Sequence, residues 1–143
     1  MPSTKIIEGA NMVMGRLSSL VAGELLKGNT IHIVNAEKVL ITGNRKDIVG
    51  EFKNRMDLTV KGNPFKAPKN SRLPHFIVRE CIEGMLPRKT IRGREAMKRL
   101  KVHIGIPAEF TGKKIEILED AKPLSERKAM TVVELSKDLG MAV

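Results

Sequence analysis

The residues whose type and spacing point to chemistry are cations. Between Lys61 and Lys101 stand twelve lysines and arginines: Lys61, Lys66, Lys69, Arg72, Arg79, Arg88, Lys89, Arg92, Arg94, Lys98, Arg99 and Lys101. They face three acids, Glu80, Glu83 and Glu95, so this stretch holds +9 of the chain's net +10. The other residues are nearly neutral and mixed in sign. Cations clustered in this way gain free energy on a polyanion, because each phosphate they neutralise releases condensed counterions. The chain has no Trp, no Tyr and only Phe52, Phe65, Phe76 and Phe110, which leaves little from which to build an aromatic platform for bases. Recognition of a nucleic acid should therefore rest on backbone phosphate and shape.

Other chemistry is poorly provided for. Cys81 is the only cysteine, which excludes an intramolecular disulfide and a Cys-rich zinc site. His32, His75 and His103 are scattered along the chain, so no metal site is expected. There is no Gly-x-Ser-x-Gly elbow, no His-Glu-x-x-His, no Cys-x-x-Cys and no Walker loop, and the chain is expected not to be an enzyme and to need no cofactor. No run approaches about 18 apolar residues, and MPSTKIIEGA lacks the basic-then-apolar pattern of a signal peptide; the expectation is a soluble, cytoplasmic protein with no membrane partner. One alternative stays open. Gly15 and Arg16 follow a short apolar run at what reads as a helix start, where free backbone amides can receive a phosphate. A nucleotide- or phosphosugar-binding enzyme on a doubly wound sheet would use that terminus, and a turn that merely begins a helix would look the same.

The elements that position the cations are legible from periodicity. Ile6 and Ile7 suggest a strand, and Leu17, Leu20, Val21 and Leu25 a helix that stops at Gly28. Ile31–Val34 and Val39–Ile41 read as strands. Asn44 and Asp47 would cap a helix carrying Ile48, Val49, Phe52 and Met56 on one side. Strands alternating with helices predict an α/β fold with a mostly parallel sheet covered by helices on both faces. One domain should span residues 1–143, interrupted at about 58–73 by a loop whose Gly62, Pro64 and Pro68 prevent regular structure. Its cations Lys61, Lys66, Lys69 and Arg72 would become ordered along a nucleic-acid backbone.

Pro74 suits the first turn of a helix whose apolar stripe is Ile77, Val78, Cys81, Ile82 and Met85. Cys81 then reads as a buried apolar residue, and Arg79 as paired with Glu83 four residues on. Gly84 and Pro87 stop this helix. Arg88, Lys89, Thr90, Arg92, Gly93 and Arg94 make a polar turn, and a second helix from about Gly93 to Leu100 should carry Arg94, Lys98 and Lys101 along one outer stripe, with Glu95 and Arg99 paired internally. Val102–Ile106 reads as a strand, Ile115–Leu118 as a segment pairing at a sheet edge, and Thr131-Val132-Val133-Glu134 as the capping box of a last helix.

Several stretches in order carry a resemblance: GRLSSLVAGELL at Gly15 to Leu26, NAEKVLITG at Asn35 to Gly43, GMLPRKT at Gly84 to Thr90, and RGREAMKRLKVHIGIP at Arg92 to Pro107. Together they closely resemble the large-subunit ribosomal proteins of the L-thirteen family in its archaeal form, well over Lys5 to Phe110 and more loosely in the tail. The resemblance implies a three-layer α/β/α sandwich with a parallel sheet of about four strands. It also implies a non-catalytic protein that binds large-subunit rRNA beside neighbouring ribosomal proteins and contributes to subunit assembly. The implied RNA contacts are Arg16, Lys61, Lys66, Lys69, Arg72, Arg88, Lys89, Thr90, Arg92, Gly93 and Arg94. The outer stripe adds Lys98 and Lys101. Family members often carry a base just before Gly-Met-Leu-Pro, where this chain has Glu83, which argues against a phosphate contact from the outer face of the Pro74 helix.

Overall fold

A computed structural model describes residues 1–141. Strands β1 (Thr4–Glu8), β2 (Thr30–Val34) and β4 (Leu100–Val102) form a parallel sheet in the order β1-β2-β4. Ile7 pairs with Ile33, and Ile31 with Leu100. A fourth segment joins the free edge of β1: the Glu8 amide donates to the Glu116 carbonyl at 2.9 Å, and the Glu116 amide to that of Ile6 at 2.7 Å. This is the edge pairing expected of Ile115–Leu118, reduced to one bridge. Strands β3 (Leu40–Thr42) and β5 (Ala129–Thr131) make a separate antiparallel pair.

Helix α1 (Met14–Leu26) buries Leu17, Val21 and Leu25, one residue per turn, against the sheet and against α3 (Pro74–Gly84). Each such side chain contributes about 1.5–3 kcal/mol when fully buried. Gly28, at φ +100°, lets the chain turn out of α1 into β2. Alternation along the strands divides the core. Ile7, Ile31, Ile33 and Leu100 face α1 and α3, while Ile6 and Val34 on the opposite face meet Phe110 and Ile115. That second face is covered by the segment containing the 3-10 turn Ala108–Phe110, so the layer there is thin. Helix α2 (Arg45–Asp57) contributes Ile48 to the main core and leans on α5 (Val132–Asp138), whose capping box is closed in both directions by Thr131 and Glu134. Asn44 precedes α2 without capping it; its amide instead donates to the Asp47 carboxylate at 3.2 Å.

Three local expectations are corrected. The second helix of the basic stretch, α4, spans Ile91–Lys98, because Thr90 caps it two residues ahead of the expected start. The following strand is displaced as well: β4 spans Leu100–Val102, and residues 103–106, expected within it, lie outside it, so Lys101 lies on β4 and leaves the helical stripe with Arg94 and Lys98. In α3 the stripe ends at Ile82. Met85 is the C-cap residue and is exposed, Leu86 takes the buried place beyond it, and Cys81 is only half-buried.

Candidate nucleic-acid interface

The basic surface is built on the corner between α3 and α4. Pro87 ends the turn, and Thr90 stitches the corner: its hydroxyl donates to the Pro87 carbonyl at 2.9 Å and accepts from the Gly93 amide at 3.2 Å. Gly93 is buried there, and a Cβ on it would stand 2.0 Å from the Pro87 carbonyl oxygen. Only glycine allows that approach. Thr90 and Gly93 are thus committed to holding the corner, and they set where the neighbouring cations stand.

The arginines of α4 divide into two sets. Arg92 donates to the Leu26 carbonyl at 3.2 Å, and Arg99 to the Leu25 carbonyl at 2.9 Å. Both cations sit at the C-terminal end of α1, where the helix dipole is negative and α1 carries no base of its own in its last turn. Arg99 is therefore held by backbone rather than by Glu95, and Arg92, though exposed, is partly engaged. Arg94 and Lys98 are exposed, with no acid within ion-pair distance among the described residues. The expected Arg79–Glu83 pair is absent. Glu83 meets Arg88 across the turn at 3.0 Å, leaving Arg79 without an acidic partner among the described residues. Arg79, Arg88, Arg94 and Lys98 then line a groove of about 420 Å³ together with Glu83, Leu86 and Met97. Helical spacing alone pairs Arg79 with Glu83, because the turn that draws Glu83 toward Arg88 leaves no mark in that spacing.

The remaining candidates lie elsewhere. Lys61, Lys66, Lys69 and Arg72 are all exposed on the loop after α2, where Asn63 caps a short turn at Pro64–Lys66 and Phe65 projects with 87% of its surface exposed. Lys89 is exposed on the turn itself, and Lys101 is exposed on β4. Arg16 is in the first turn of α1, roughly 15 Å along the helix from the Leu26 carbonyl that Arg92 holds. It donates to the Lys122 carbonyl at 3.3 Å and lines a cleft of about 600 Å³ with Thr42, Leu124 and Arg127. Arg127 escaped the sequence reading because bases and acids alternate in that part of the chain.

The structure brings together two histidines that are far apart in sequence. His32 Nδ1 lies 3.2 Å from His103 Nε2 with the rings 7° from parallel, and Phe110 covers both. Burial, and then the neighbouring His103, depress the His32 pKa below its ordinary value. Among the described residues no group of three or more His, Cys, Asp or Glu side chains could hold a metal ion, and no helix is long and apolar enough to cross a membrane.

The chain matches the family model for ribosomal protein L13 over residues 3–109. It is 43% identical over 136 residues to the large ribosomal subunit protein uL13 of Thermoplasma volcanium, covering 95% of this chain and 98% of that one. It is 42% identical to the protein of the same name from Methanosphaera stadtmanae, covering 94% and 96%. For that of Archaeoglobus fulgidus the identity is 39%, with 94% and 86% covered. A model matched over most of the sequence, and archaeal relatives aligned over nearly their full length, agree with the motif order and the α/β architecture: the chain belongs to the ribosomal protein L13 family.

Proposed function

We propose that this protein is a structural, non-catalytic constituent of the large ribosomal subunit in the cytoplasm, binding large-subunit rRNA beside neighbouring ribosomal proteins and contributing to subunit assembly. The observation that carries the reading is the α3–α4 corner. Four cations, Arg79, Arg88, Arg94 and Lys98, are fixed there around one groove with a single acid among them. Helices α3 and α4 fix the backbone of Arg79, Arg94 and Lys98, and the ion pair with Glu83 holds Arg88 at the turn, so only side-chain ordering opposes their contact with a polyanion. Lys89, Arg92 and the loop cations Lys61, Lys66, Lys69 and Arg72 extend the interface along the RNA backbone, with Arg16 and Lys101 as outlying contacts. Thr90 and Gly93 serve by shaping the corner.

The test is the salt dependence of binding to large-subunit rRNA. Log affinity should fall with log salt by about 0.7 to 0.9 for each phosphate contacted. Replacing Arg94 or Lys98 by Ala should weaken binding and lower the slope by about one, with the circular dichroism spectrum unchanged. A flat salt dependence, or saturable binding of a free mononucleotide in place of rRNA, would refute this reading.

A further inference from the structure

Resting on the rRNA-binding reading, we propose that the groove between α3 and α4 receives one unstacked nucleotide of the RNA, its phosphate on the cationic rim and its base laid over Leu86 and Met97. A surface meant only for backbone needs charge and no apolar lining. Here the cations line a cavity of about 420 Å³ together with two apolar side chains, the half-buried Met97 and the edge of the buried Leu86. The volume suits a single nucleoside rather than a stacked pair. No aromatic ring lines the groove, so the base is sandwiched between the thioether of Met97 and guanidinium planes, of which Arg79 and Arg94 are the two without an acidic partner.

Glu83 is the informative exception. A carboxylate in the middle of an anion-binding rim repels phosphate, yet it accepts hydrogen bonds from the amino or imino groups of a base edge. Its ion pair with Arg88, at 3.0 Å, holds both side chains at the groove until the phosphate takes Arg88 and the base takes Glu83. An acidic segment of a neighbouring protein would also find cations here, but Glu83 opposes it and the apolar lining gives it nothing to bury.

The absence of aromatic rings supplies the test. In protein carrying 13C-labelled methionine methyls, the Met97 signal, identified by its loss in Met97→Ala, comes from a groove lined by no aromatic ring among the described residues. On binding the rRNA fragment it should move upfield as a base ring settles over it. Met97→Ala should weaken binding about two- to tenfold without changing the salt slope. If the rRNA binds with its steep salt slope while the Met97 methyl stays in place and Met97→Ala binds like the parent, the groove holds backbone alone or waits for a protein partner, and the proposal is overturned. Failure to bind rRNA at all would instead remove the reading on which it rests.

Discussion

Gly93 is the residue on which the corner depends most sharply. A methyl group there would overlap the Pro87 carbonyl, and backbone, unlike a long side chain, cannot swing aside. Gly93→Ala should therefore destabilise the protein by about 1–3 kcal/mol, measured by chemical denaturation, and blunt RNA affinity through the displaced α4. Glu83 behaves oppositely: Glu83→Gln removes the counter-charge that Arg88 must leave on binding, so affinity for rRNA at low salt should rise with stability nearly unchanged, since a largely exposed pair contributes about 0.2–1 kcal/mol. Weaker binding would mean that the carboxylate itself touches the RNA. The cations themselves were legible in sequence, whereas their partners were not. Spacing along one helix suggested Arg79 with Glu83 and Glu95 with Arg99, but the turn at Gly84–Pro87 hands Glu83 to Arg88, and tertiary packing hands Arg99 to a carbonyl of α1.

At the scale of elements, apolar periodicity revealed α1, α2 and α3 and the main part of their inward faces, because that pattern is what the core selects. It overextended the stripe of α3 to Met85, and of the α2 stripe only Ile48 is buried. Element ends were harder to read. Thr90 looked like one more polar residue in a turn, and only its bond to Gly93 shows it to be the cap that advances both α4 and β4. Contacts between elements were hidden as well. Glu24 on α1 accepts from Lys5 on β1 at 2.6 Å, from Lys27 at 2.7 Å and from Asn29 at 2.8 Å. These bonds, Lys27 and Lys5 foremost, hold its pKa down to about 2. A depressed carboxylate stabilises the fold fully above its unfolded value near 4.5 and loses that contribution as pH falls toward 2. Melting temperature followed from pH 5 down to pH 2 should thus decline less steeply in Glu24→Gln than in the parent. Parallel acid limbs would show that the three bonds contribute no net stability.

For the molecule as a whole, charge and rigidity are unevenly distributed. The loop after α2 carries exposed cations on a backbone with little burial, so its amides, across about residues 58–70, should exchange quickly in the free protein and slow when rRNA binds; equal rates in both states would take the loop out of the interface. Proline and glycine spelling made this loop legible, while the β3–β5 pair was not, because antiparallel partners so far apart leave no local pattern. That pair sets an order in time. Leu40 pairs with Thr131, and α2, which buries only Ile48 among its described residues, leans on α5 just beyond. During synthesis the first half of the chain must wait, with the edge of β3 open and α2 lacking its neighbour α5, until the residues around 131 emerge. A nascent chain stalled before that point should be cut by protease within α2, and one stalled well after it should resist.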